Sequence, residues 1–206
     1  MLRRDELHFD SSHFQPAALV PNRMALSGAS LISPLWHPEA CAGLSGIYAI
    51  INAIRLALAD RHIFCAAELH ALTSAGLRFM SGRLTAEQSV LAGLRVSLWR
   101  ALAEAMITVA RRQTGVFLGV ERLFVAEAGR KAVFDTIEQA IMHMRVPMIL
   151  CRGGHYTVIK GFTRSSLLLL DSSGASWVTK RACGVPDDCT DARHVLYPSS
   201  FLTLNV

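Results

Sequence analysis

A cysteine, a histidine and an aspartate follow one another along this chain in an order that suits acyl transfer through a thiol. Cys41, in Pro38-Glu-Ala-Cys41-Ala-Gly-Leu-Ser45, stands immediately before the most apolar helical pattern of the sequence. A thiol at a helix N-terminus faces unpaired backbone N–H groups and the positive end of the helix dipole, which favours the thiolate, the nucleophilic form. The position also suits a small buried core residue, as most free cysteines are. His155 follows Gly153-Gly154 and opens a β pattern, Tyr156-Thr-Val-Ile159, where the glycines leave an imidazole accessible to a substrate. Asp171 ends the next apolar run, sixteen residues further on, in Leu170-Asp171-Ser172-Ser173-Gly174. Antiparallel strands joined by a short turn place the start of one beside the end of the next. The carboxylate can then accept the imidazole N–H, fix its tautomer and leave the other ring nitrogen for Cys41. A strand-end histidine and a turn aspartate are each common alone; it is the three together that carry chemistry.

These residues require a helix behind the cysteine and a hairpin behind the other two, and the periodicity predicts both. Leu44, Ile47, Ile50, Ile51, Ile54 and Leu58 recur at steps of three and four, a helix within 42–59. A second helix is expected over Ala66–Phe79. A third begins after Thr85, whose partner Gln88 suggests a capping box, and carries Leu91, Leu94, Leu98, Leu102, Met106 and Val109 before Gly115 closes it. Val116–Val120 reads as a short strand and Ala132–Met144 as a fourth helix. After Pro147 the period changes: Met148–Cys151, His155–Gly161 and Ser166–Asp171 are short strands separated by turn residues, with edge strands at Ser176–Lys180 and His194–Tyr197. Helices first and an antiparallel sheet afterwards give an α+β fold. The 206 residues form one domain, and the first forty, punctuated by four prolines and Gly28, are irregular.

Composition narrows the function. With 51% hydrophobic and 18% charged residues, disorder is excluded. The apolar run at 42–59 is interrupted by Asn52 and Arg55 and is shorter than the roughly 20 residues a membrane span needs, so it is a buried core helix. Asn52, on the Cys41 face of that helix, is expected to make a helix–sheet hydrogen bond. Met1-Leu-Arg-Arg-Asp-Glu has no apolar run behind it, and five cysteines make no disulfide framework, so a reducing cytoplasm is expected. The net charge of +5, from 18 Arg and 3 Lys against 16 acids, is that of a solvated face, and a nucleic-acid partner is not expected. Cys183, Cys189 and His194 lack a fourth ligand at zinc spacing. Neither a Walker loop nor G-x-G-x-x-G occurs, so neither metal nor cofactor is expected. Cys65 and Cys151 read as core residues. His37 and Glu39, just before Cys41, read as a surface loop or a cleft lining.

The helix-opening Cys41, the helical middle, the segment Pro147-Met-Ile-Leu-Cys-Arg-Gly-Gly-His155-Tyr-Thr-Val-Ile-Lys-Gly-Phe162 and the hairpin ending Leu170-Asp171-Ser-Ser-Gly174 resemble papain-superfamily cysteine peptidases, above all the bacteriocin-processing, double-glycine-leader type. The resemblance implies a papain-like fold, with Cys41 on a central helix packed on a C-terminal antiparallel sheet. It makes Cys41 the nucleophile, His155 the general base and Asp171 the orienting carboxylate, acting on a peptide or protein substrate. This chain departs from the family's pattern at three points. Leu35 stands where the family has a Gln that lends an oxyanion donor, Ala42 stands where many relatives have Gly, and the 114 residues from Cys41 to His155 are a longer gap than usual. Trp36, His37 or Asn22 are the alternative oxyanion donors. Two function classes follow: a thiol hydrolase or acyl transferase, and a papain-fold module that keeps the cleft, binds peptide or a partner protein and has lost the chemistry.

Overall fold

The computed structural model of the chain describes residues 23–35, 44–83, 96–123, 128–151, 154–186 and 193–206. The isoleucine stripe folds as α1 (Ser45–Ala57), in which Ile47, Ile50, Ile51 and Ile54 are buried along with Ala49, Ala53 and Leu56. A helix apolar on nearly every side must be enclosed on every side, and α1 is: it packs on two further helices and on the sheet. These helices are α2 (Ala66–Ser81) and α3 (Val96–Thr114), the latter ending at Gly115 with φ +68°, the left-handed stop that glycine supplies. The Thr85–Gln88 cap and the residues Leu91 and Leu94 lie outside the described residues. Cys65 is exposed, not core, because it stands at the N-cap of α2 ahead of the helix's apolar stripe. Its backbone N–H donates to Glu68 Oε2 at 2.7 Å, one half of a capping box.

A seven-stranded antiparallel sheet forms the other layer, in the order β2 (Gly119–Arg122), β9 (Leu202–Asn205), β3 (Val146–Cys151), β4 (His155–Thr163), β5 (Ser166–Leu170), β6 (Trp177–Thr179), with β1 (Arg23–Ala25) also paired to β4. The fold is α+β, with one helix, α4 (Arg130–Met142), between β2 and β3. Three expectations are corrected. The stretch before residue 40 is not wholly irregular, since β1 lies there against Thr163, Phe162 and Gly161. The strand expected at Val116–Val120 starts only at Gly119. The Arg111 guanidinium binds the Leu118 carbonyl, holding the chain to α3 until Gly119 meets Asn205. His194–Val195 (β8) is not an edge of the main sheet but pairs in parallel with Cys183–Gly184 (β7).

β4 organises these layers. Its first half pairs with β3 and its second half with β1, while β5 runs along the opposite edge. The β4–β5 register shifts between Ile159 and Gly161, a bulge that changes which residues face which layer. Tyr156 points to the helical side, its ring 4.1 Å from that of Trp99 on α3, whose indole N–H donates to the Ser200 carbonyl at 3.0 Å. Beyond the bulge Phe162 points the other way, under Lys180, whose ammonium pairs with Glu138 of α4. So α1 and α3 cover one face of the sheet and α4 the other.

Gly161 permits the β1–β4 contact: a Cβ there would stand 2.5 Å from the Met24 carbonyl oxygen and 2.8 Å from Ala25 Cα, both backbone atoms. Gly161→Ala is therefore expected to push β1 off the sheet and destabilise the protein by about 1–3 kcal/mol, the usual range for overpacking. Urea unfolding reads the loss, and faster exchange of the Leu26 amide, which donates to the Lys160 carbonyl, locates it.

Candidate active site

The β4–β5 register brings two of the three chemistry-bearing residues together. Val158 opposes Leu170, so Asp171, one step further, comes alongside Thr157, and His155 becomes its diagonal neighbour on the same face of the sheet. Such diagonals are about 7–8 Å between backbones, a distance an imidazole and a carboxylate together can bridge. They do: His155 Nε2 lies 2.8 Å from Asp171 Oδ2. The other carboxylate oxygen accepts the Ser173 N–H at 2.7 Å and the Ser173 hydroxyl. The Gly174 N–H closes the turn on the Asp171 carbonyl, with Gly174 at φ +90°.

Both oxygens of a nearly buried carboxylate are thus held by donors. Burial alone raises the Asp171 pKa, but the hydrogen bonds from His155 and Ser173 outweigh it and hold the group at about 2. The buried Thr157 hydroxyl makes no hydrogen bond, so the hold on the carboxylate comes from His155 and Ser173. Ionised Asp171 makes Nε2 the protonated nitrogen of a neutral His155 and leaves the lone pair on Nδ1. The imidazole remains reachable, its side chain 27% exposed against 3% for Asp171. Gly154 before it has φ +78°, a conformation in which a side chain would be strained.

The first turn of α1 is fastened to the same strand. Ser45 Oγ, fully buried, accepts the Tyr156 N–H at 3.2 Å and donates to the Gly154 carbonyl at 3.5 Å, the backbone groups on either side of His155. Cys41 stands four residues before Ser45 in the chain. It lies outside the described residues, as do Asn22, Trp36, His37, Glu39 and Ala42. Leu35 is described, and its backbone N–H is already committed, donating to Asn52 Oδ1 at 3.0 Å. That corrects the helix–sheet role expected of Asn52. With Arg55, which donates to the Ser33 carbonyl at 2.9 Å, it binds α1 to the 33–35 loop, because that loop passes over the helix at this turn.

Among the described residues no three metal-ligating side chains cluster. Cys183 is a core thiol: burial pushes it up to about 11, slightly offset by Arg130, and Cys189 lies outside the described residues. No family model, curated protein or solved structure matches the chain. The chemistry therefore has to come from the residues themselves. A general base oriented by an ionised carboxylate, at the head of a strand and beside a helix N-terminus, is equipped to take a proton from a nucleophile. Sequence reasoning singled out His155 and Asp171 but not their supports. Ser173 had a signal in its place two residues after an aspartate, the spacing of an Asx turn. Ser45 had none.

Asp171 also ties stability to pH. A carboxyl held at about 2, against an ordinary value of 3.8, contributes stability that is complete above about pH 4 and is lost as pH falls through 2. The shift corresponds to about 2 kcal/mol. Between pH 5 and pH 2, urea unfolding should show the wild type losing about that much more than Asp171→Asn, which has no proton to bind.

Proposed function

We propose that the protein is a thiol hydrolase or acyl transferase with a papain-like architecture, in which Cys41, His155 and Asp171 cleave a peptide or isopeptide bond. The observation that carries this reading is the 2.8 Å His155–Asp171 pair on the strand to which the first turn of α1 is bonded, four residues after the only cysteine that precedes that helix. In this mechanism Nδ1 of His155 takes the Cys41 proton and the thiolate attacks the carbonyl carbon. The imidazolium returns the proton to the leaving amine as the C–N bond breaks, and a thioester remains. Water, deprotonated by the same nitrogen, hydrolyses the thioester; an amine in its place gives transamidation. Asp171 stays ionised throughout and holds the ring by Nε2–H, stabilising the imidazolium at each proton transfer.

A second reading has its own support. Leu35 offers no side-chain donor and its N–H already serves Asn52, so the oxyanion would lose one hydrogen bond, worth about 10²–10³ in rate. On that reading the module binds a peptide or partner protein without turning it over.

Alkylation of Cys41 by iodoacetamide, followed by mass spectrometry from pH 5 to 9, separates the two. An activated pair labels rapidly below neutral pH, and His155→Ala returns the profile to that of a free thiol, near pH 8.5. Slow labelling at every pH, unchanged by His155→Ala, would overturn the thiol-enzyme reading. Where a peptide substrate is turned over, Cys41→Ala is expected to abolish turnover with no change in the unfolding midpoint.

A further inference from the structure

A cavity of about 230 Å³ lies at the C-terminal end of α1, where Arg55 stands about 15 Å along the helix axis from Ser45. Its wall is apolar: Ile32 comes from the loop after β1, Ala59 from the turn that ends α1 and Phe64 from the link to α2, all three half-buried. Leu31 and Ile63 stand at its rim, 72% and 90% exposed. Arg55 is the charge in this lining. Its Nη1 donates to the Ser33 carbonyl at 2.9 Å and to Asn52 Oδ1 at 3.3 Å. Among the described residues Nε and Nη2 meet no acceptor, and no carboxylate pairs with the guanidinium. The two acids that follow it in sequence are engaged elsewhere. Asp60 accepts the Ser27 hydroxyl, and Glu68 faces the His62 ring and accepts the Cys65 N–H. Burial with no anion beside it pulls the Arg55 pKa below its ordinary value.

From this arrangement we propose that the cavity binds an apolar carboxylate. The acid group sits on the free Nε–Nη2 edge of Arg55, and an aliphatic or aromatic body of the size of a leucine side chain lies against Ile32, Ala59, Ile63 and Phe64. The two N–H groups on that edge point in parallel and match the two oxygens of a carboxylate. The bonds to Ser33 and Asn52 fix the guanidinium plane before a ligand arrives, so little ordering is lost on binding. A phosphate suits the site less, because its second negative charge finds no second cation: Arg55 is the only lysine or arginine among the described residues that line it. A neutral apolar molecule would leave the guanidinium desolvated and unpaired, and acetate would leave the hydrocarbon wall wet. No part of this site belongs to the thiol chemistry, and the two are separately testable.

Methyl NMR on the full chain tests this without needing turnover. The assigned methyl signals of Leu31, Ile32, Ala59 and Ile63 are followed while 4-methylpentanoate is added at neutral pH, with 4-methylpentanamide and acetate as controls. Saturable shifts are expected with 4-methylpentanoate at concentrations at least tenfold lower than with the amide or with acetate. Ile63→Glu, at the exposed rim, sets a second carboxylate beside the first. It is expected to weaken binding at least tenfold with the unfolding midpoint unchanged. Arg55→Lys keeps the charge but loses the paired donors, and should do the same if it folds. An acetylated Gly-Gly-Leu tripeptide, with a free or an amidated C-terminus, gives the source of the ligand. Binding of the free-acid form alone extends the site to peptide C-termini, and binding of neither restricts it to small free acids. Absence of saturable shifts with 4-methylpentanoate, or equal binding of an acid and its amide, would overturn the site.

Discussion

Everything described here hangs on β4 being enclosed on all sides. It has hydrogen-bonded partners on both edges and packed helices on both faces, so its register is the least negotiable quantity in the fold. Side chains on a strand alternate with period two, and a slip of one residue against β5 would carry His155 to the face opposite Asp171. What prevents the slip is the hydrophobic cost on the helical side, where Tyr156 and Val158 must meet Trp99 and α1. The core therefore sets the geometry of the polar pair, although no apolar atom takes part in the pair itself. Ser45 extends the same control to α1 by capping backbone groups on both sides of the histidine.

The electrostatics follow from that placement. A carboxylate nearly removed from water is tolerated only when its oxygens are met by donors, and the hairpin supplies them from three directions: the imidazole across the strands, and the Ser173 amide and hydroxyl from the turn. Their combined effect reverses the penalty of burial. An acid that would otherwise be hard to ionise becomes one that stays charged across the whole working range of an enzyme. The histidine gains a fixed tautomer from a neighbour that does not compete for its proton.

What could be read in the sequence and what could not divides along the range of the interactions. The α1 stripe and the β4–turn–β5 hairpin are local patterns, and with them came the His155–Asp171 pairing, because a hairpin's ends are neighbours by construction. The pairing of β1 with β4 and the place of β9 between β2 and β3 depend on partners far away in sequence, and three or four residues carry too little periodicity to announce them. Asn52 shows the same limit. Its burial followed from its place on α1, but its partner, the Leu35 amide, comes from a loop whose path no local pattern describes. Cys65 was misjudged because apolar neighbours in sequence say little at a helix cap, where the chain is turning out of the core.

The bulge at Ile159–Gly161 divides β4 into two stretches that differ in their freedom to change. Past it, Phe162 and Gly161 are clamped between β1, β5 and the Lys180–Glu138 pair; before it, the strand is paired with β3 and packed on Trp99 and α1. The bulge also reverses which face successive side chains take, so the two stretches answer to different packing partners. Only the half-buried start of the first stretch can change without disturbing the packing of Tyr156 and Val158 that holds the register. The strand that fixes the register thus leaves its tip, at His155, facing outward from the packing that holds it.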